Sequence, residues 1–173
     1  MESKWCIFLI ILSVWLIIYL ILEFCIINNR RIAVKKAFLD LDEIFEKRIV
    51  ILTKMIDIVK GYDKIQFDDF GSKLYDYSNA YGEYDYNKKI EINELIESDV
   101  KKLLLVSKVY PELNGVDRFV KLERQLIRYV KVIKKLKVKY NRLLDIYNDR
   151  KGIFPSGLFC SICNFYNYDY FKM

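Results

Sequence analysis

Residues 5–27 read WCIFLIILSVWLIIYLILEFCII. From Trp5 to Leu22 only Ser13 is polar, and no side chain is charged. At ~1.5 Å of rise per residue, ~23 helical residues cover roughly 34 Å, enough to cross a hydrocarbon core of ~30 Å. The expectation is a single transmembrane helix, with Trp5, Trp15, Leu22 and Ile27 marking its extent. The run is too long for the apolar core of a secretory signal, and only Lys4 precedes it as a basic residue. The bulky Glu23-Phe24-Cys25 offers no small-residue cleavage site, so the anchor is expected to be retained.

Working outward, Lys4 is offset by Glu2, whereas Arg30, Arg31, Lys35 and Lys36 follow the span. The positive-inside rule then puts the N-terminus outside and the rest of the chain in the cytoplasm, at the cell membrane. Glu23 lies near the inner end of the span. It is expected at the headgroup level rather than as a functional intramembrane carboxylate.

The remainder, about 145 residues, is long enough for one domain with a real core. With 6 glycines, 2 prolines and abundant Leu, Ile, Lys and Glu, it favours helices. There is no histidine, which removes the commonest general base, pH switch and metal ligand. Four cysteines are present, and Cys6 and Cys25 fall in the anchor, which argues against a disulfide-stapled fold.

After a brief polar break at Asn28-Asn29, Phe38, Phe45, Leu52 and Val59 recur every seven residues. Leu41, Ile44, Ile51, Met55, Ile58 and Tyr62 widen that face. Asp40, Asp42, Glu43, Glu46, Lys47 and Arg48 are expected mostly away from it. The helix covers about 32–60, with its continuity into the anchor left open and Gly61 as its C-cap. A second helix is expected from near Asp63, through Phe67, Phe70, Leu74, Tyr77 and Tyr81, with Gly71 as a weak point. Residues 78–87 read as a loop.

A third helix over 88–110 carries Ile92, Leu95, Ile96, Val100, Leu103, Leu104, Val106 and Val109, and Pro111 stops it. In the fourth, Phe119, Leu126, Ile133, Tyr140 and Tyr147 are seven apart, with Leu122, Tyr129, Leu136 and Leu143 three later. Val116, Val130 and Leu144 broaden the seam toward a bundle core, and Gly152 and Pro155 end the helix. The aromatic segment 154–173 is expected to pack on the bundle or to lie at a membrane surface. The fold class is therefore all-α: one N-terminal transmembrane helix and an antiparallel bundle of about four helices. Its parts are 1–29, 30–152 and 153–173.

Several stretches taken together resemble a known family. They are Ala37, Leu41 and Asp42 leading into Glu46-Lys47-Arg48, then Val59-Lys60-Gly61-Tyr62, and Tyr110-Pro111-Glu112-Leu113 with Phe119, Leu122 and Leu126. Tyr140-Asn141, Tyr147-Asn148, Phe154-Pro155-Ser156, Leu158, Phe165, Tyr170 and Phe171 complete the set. In order and spacing the chain resembles the LemA family, and it departs from the family pattern at Val50–Met55, Val130-Lys131 and Gly157. The resemblance implies a bacterial helical bundle on a single span, outside-to-inside, with no defined activity.

Cys160-Ser161-Ile162-Cys163 is a lone CxxC. Structural zinc wants four ligands and a redox pair wants a βαβ setting, so these cysteines read as small apolar residues of a packed tail. The fourth helix is basic where the middle of the chain is acidic. Lys121, Arg128, Lys131, Lys134, Lys135, Lys137, Lys139 and Arg142 are the candidates for contact with an anionic surface, against the plainer reading of a solvated face. No catalytic, cofactor-binding or metal-ligating residues stand out, and no cofactor is expected. The expected partners are the lipid bilayer and a protein; nucleic acid is not expected and self-association stays open. The function expected is a non-enzymatic scaffold or adaptor, the alternative being a membrane-binding or membrane-remodelling protein.

Overall fold

In the computed structural model, which describes residues 2–61 and 64–172, Asn28 and Asn29 do not interrupt the first helix. Helix α1 runs unbroken over Glu2–Val59. Asparagine in a helix interior costs only a few tenths of a kcal/mol, too little to end a helix flanked by good formers. The expected start of the second helix at Asp63 lies outside the described residues, as do Tyr62 and the side chains of Phe67, Val106, Glu2 and Lys4. Helix α2 spans Lys64–Ala80, α3 Tyr86–Val109, α4 Asp117–Lys151 and α5 Ser156–Ile162. Short 3₁₀ turns at Tyr81–Glu83 and Pro111–Gly115 join α2 to α3 and α3 to α4. The loop expected over 78–87 shrinks accordingly, its ends being absorbed into α2 and α3. No strand occurs among the described residues. Gly61 follows the end of α1 without a left-handed conformation, so it closes a turn rather than serving as an αL cap.

The chain divides into two units, and the division cuts both long helices and the C-terminal segment. One unit contains Ala37–Asn141 and the chain from Tyr168. Its four helices pack up and down. Tyr75 of α2 meets Asp57 of α1 while Gly71 faces Lys60, so α2 runs against α1. Asp42 and Arg48 meet Lys89 and Asn93 in the same order, so α1 and α3 are parallel. Phe38 and Asp40 meet Tyr140 and Lys139 in reverse order, so α4 opposes α1. A Cβ on Gly71 would come within 3.2 Å of Ile56 and 2.9 Å of the Lys60 ammonium. The glycine that weakens α2 as a helix thus lets it lie close against α1.

The core of this unit includes Phe38, Leu41, Phe45, Leu52, Met55, Val59, Ile92, Ile96, Val100, Leu103, Phe119, Leu126, Ile133 and Tyr140. The first series of the α4 seam is buried throughout, whereas Leu122, Tyr129 and Leu136 are half-buried and Val130 is exposed. Leu95 and Val109, expected on the apolar face of the third helix, are exposed. The terminal strap 168–172 has no regular structure, and side chains satisfy its backbone instead. Asp169 N–H donates to Asn87, Lys172 N–H to Glu94, and the Tyr140 hydroxyl donates to the Asp169 carbonyl. The ring of Phe171 lies 5.2 Å from Tyr140, 5.6 Å from Phe45 and 6.4 Å from Phe38. Of the two expected placements for the aromatic tail, this part packs.

The other unit contains the chain up to Lys36 with Arg142–Asn167. Trp5, Trp15 and Leu22 are exposed, and the described apolar face from Trp5 to Leu22 has no protein cover. At Glu23 the situation changes. Its carboxylate is buried, accepts a bond from Arg150 at 2.5 Å and another from Ser156 at 3.0 Å. Phe24 packs edge-on against Phe159 at 5.6 Å, and the Arg31 guanidinium sits 4.4 Å over Phe165. One expectation is corrected: Glu23 is a buried ion-pair partner rather than a residue reaching for headgroups. Ile27 is fully buried in protein.

Helix α5 had no periodic signature in the sequence, and local bonds define it. It ends in a Schellman motif: Asn164 is left-handed (φ 47°), Phe165 N–H donates to the Cys160 carbonyl and Asn164 N–H to Ser161. Phe165 and Cys160, the pair that packs across such a motif, are both buried. A Cβ on Gly157 would lie 2.6 Å from the Lys151 carbonyl oxygen, so the backbone approach at the start of α5 needs a glycine.

Candidate functional site

The most unusual chemistry lies inside the Ala37–Asn141 unit. On α1 the steps Leu41, Phe45, Arg48, Leu52, Met55 and Val59 follow one helical stripe, so Arg48 points inward with its apolar neighbours. It is 2% exposed. Its Nη2 donates to the side-chain oxygen of Asn93 at 2.6 Å. Asn93, fully buried on α3, donates in turn to the Tyr81 hydroxyl and to the Lys89 carbonyl, both at 2.8 Å. Lys89 reaches Asp42 at 2.7 Å and lies 4.7 Å over the Tyr81 ring. Lys137 of α4 reaches Glu97 at 2.6 Å.

Three buried cations are thus gathered with two carboxylates, Asp42 inside and Glu97 at the half-exposed edge. Burial lowers the Arg48 guanidinium to about 10, with the Glu97 charge pulling the other way. Burial, and then the Asp42 charge, push the Tyr81 phenol up, so it stays a neutral hydrogen-bonding group. Burial raises the Glu97 carboxyl, but its bond to Lys137 and the Lys137 and Arg48 charges outweigh that and hold it below its ordinary value. The Arg48 Nε is buried and has no hydrogen-bond partner among the described residues.

Beside Arg48 a cavity of about 380 Å³ opens between α3 and α4. Val100, Leu104, Val130 and Ile133 form its apolar wall. Arg48, Lys101, Lys134, Lys137 and Lys172 edge it, with Glu97 as the one carboxylate.

Of the residues expected to meet an anionic surface, Lys121, Arg128, Lys131, Lys134 and Lys135 are exposed on α4. Lys139 is exposed and pairs with Asp40 at 3.2 Å. Arg142 is exposed but belongs to the other unit. Lys137 is corrected: it is 5% exposed and bonded to Glu97, because it falls four residues after Ile133 and three before Tyr140, in the seam itself. Ile127 and Val138 are exposed among the cations. Among the described residues no three of His, Cys, Asp and Glu converge as metal ligands would. Cys160 is buried and its thiol is pushed up by burial, while Cys163 is exposed; both are free thiols.

The LemA family model matches residues 37–173, most of the chain. The chain belongs to the LemA family. No curated protein and no solved structure matches it. The LemA match begins at Ala37, beyond the exposed apolar run, and takes in the whole buried network. Several residues that carried the LemA resemblance acquire roles here. Arg48 is the inward cation, Asn141 holds the backbone of Phe171, and Phe171 fills the core beside Tyr140. The LemA departure at Val130-Lys131 places an apolar side chain on the cavity wall and a cation on the outer face. The departure at Gly157 coincides with the close backbone approach before α5.

Proposed function

We propose that this LemA protein is a membrane-tethered, non-enzymatic adaptor whose recognition element is the outer face of α4. Among the described residues one helix is long and apolar enough to cross a membrane, and in this reading it supplies the tether. The positive-inside rule, applied to the charges after it, favours the cytoplasmic side for the bundle. The observation that carries the reading is the spacing of Arg124, Arg128, Lys131 and Lys135 along one exposed stripe. None of the four forms an ion pair among the described residues. Cations without a counter-charge at home suit an acidic protein surface, which they would select and orient more than they would bind tightly.

The test is a photo-crosslinking amino acid in place of Ile127, in the full chain in its native membrane. Protein adducts of defined mass that vanish in the Arg124/Arg128/Lys131/Lys135→Glu variant support the adaptor. A face that yields no protein adduct overturns it. A second reading, engagement of anionic lipid, is favoured by exposed Ile127 and Val138 among the cations, an arrangement suited to an interface. Each basic residue near such a surface contributes ~1 kcal/mol. Salt-sensitive tethering of anionic vesicles by the nanodisc-embedded chain, lost in the same variant, would select it.

A further inference from the structure

The cavity between α3 and α4 stands apart from the outer basic face, since Arg124, Arg128, Lys131 and Lys135 do not line it. Its charge is strongly one-sided: five cations against Glu97. Some of those cations are already engaged. Lys137 holds Glu97 at 2.6 Å and Lys172 lies 3.3 Å from Glu94. Lys101 and Lys134 form no ion pair among the described residues. Arg48 is 98% buried by its 2% exposure, and its Nε lacks a partner among the described residues. The carboxylate whose charge acts on Arg48, Glu97, is already bonded to Lys137, so the buried cation is only partly compensated and an anion brought to it would relieve that cost.

The rest of the lining is hydrocarbon. Val100 is 3% exposed and Ile133 4%, with Leu104 and Val130 beside them. A small inorganic anion would leave this wall wet, and a plain hydrocarbon would leave Arg48 uncompensated. The volume, about 380 Å³, is that of a small-ligand site. We infer that this cavity is a binding site for an amphipathic anion, a carboxylate or phosphate head bearing an alkyl chain. The head meets Arg48, Lys101 and Lys134, and the chain lies along Val100, Val130 and Ile133. Burial lowers the Arg48 pKa to about 10, which still leaves it charged near neutrality and able to receive the head. Such a head could arrive on a free amphiphile or on a bilayer lipid.

The test uses the full chain in phosphatidylcholine nanodiscs, with hexyl phosphate as the probe and empty discs as the blank. Calorimetry is expected to show one site per chain, with inorganic phosphate at least tenfold weaker and hexyltrimethylammonium not binding. Lys101→Glu with Lys134→Glu should weaken hexyl phosphate at least tenfold, and so should Val130→Trp, which fills the wall without adding charge. Val130 is 36% exposed, so that substitution should leave the thermal midpoint near wild type. Equal affinity for inorganic phosphate, or unchanged affinity in folded Val130→Trp, overturns the site. Lysine acylation then separates the sources. Protection of Lys101 and Lys134 by soluble hexyl phosphate assigns the site to free amphiphiles. Protection also by phosphatidic acid within the disc, with no soluble ligand present, assigns it to bilayer lipid as well, and protection by neither overturns the proposal. The Arg124/Arg128/Lys131/Lys135→Glu variant should bind hexyl phosphate normally, so failure of the adaptor reading leaves this result intact.

Discussion

The side-chain amide of Asn141 holds both backbone groups of Phe171: its Nδ2 donates to the carbonyl oxygen at 2.8 Å and its Oδ1 accepts from the N–H at 3.0 Å. One asparagine on α4 thus does for the terminal strap what a neighbouring strand would do, and the ring of Phe171 is delivered into the aromatic core. Asparagine is a weak choice inside a helix, and this double contact is what it supplies in return.

Replacing Asn141 with Leu should release the strap. Two part-buried hydrogen bonds at ~1 kcal/mol each, with some loss of Phe171 packing, predict a cost of about 2–3 kcal/mol. Phe171→Ala should cost about 3–5 kcal/mol. Thermal unfolding of the full chain measures both. Carboxypeptidase should also remove the last residues of Asn141→Leu many times faster than those of wild type, and equal trimming rates would contradict the strap.

Arg48 and Asn93 give a sharper test, because the sign of the double variant is informative. Removing either partner strands the other in the core, so Arg48→Met and Asn93→Leu alone should each cost about 3–5 kcal/mol. The paired replacement removes both polar groups and should recover much of that loss. A double-mutant cycle showing simple additivity would mean that the two residues do not act as a unit.

What the sequence disclosed follows from how far apart the partners are. The α4 seam was legible because Phe119, Leu126, Ile133, Tyr140 and Tyr147 repeat within one helix, and all five are buried. Arg128, Lys131 and Lys135 of the outer stripe are legible for the same reason. Arg48 and Lys137 sit in their stripes just as regularly, yet their charge was read as exposure. A cation tolerates such a position only with a buried partner. For Arg48 that partner lies 45 residues away, on another helix, so no local pattern announces it. The seven residues of α5 are too few for a period to register, and glycine and proline at its start read as a break.

Glu97 and Lys137 predict an acid dependence. Lys137 holds the Glu97 carboxyl below its ordinary value of 4.5 in the folded chain. A carboxyl depressed by folding contributes stability that is full above the unfolded pKa and is lost as pH falls through the folded one. The thermal midpoint should therefore drop on acidification below about 4.5, and Glu97→Gln should flatten that part of the profile. The effect should be modest, since the Glu97 side chain is 46% exposed and solvent screens the pair. An identical profile in Glu97→Gln would assign the acid transition to other carboxylates.

Glu23 is the first residue after the bare apolar run to be buried by protein, and Arg150 reaches it from 127 residues away. Arg150→Met should leave a carboxylate buried without its counter-charge, at a cost of about 3–5 kcal/mol. Glu23→Gln keeps an acceptor for Ser156 and removes the charge, so about 1–2 kcal/mol is expected. Cys160, buried in α5, reports on the same contact when Cys6, Cys25 and Cys163 are serine. Arg150→Met should raise its labelling rate by a maleimide several-fold, because α5 loses the bonded pair that Ser156 joins. Glu23→Arg with Arg150→Glu should return the rate toward wild type. If both variants label as slowly as wild type, the Glu23 carboxylate is not what holds α5 in place.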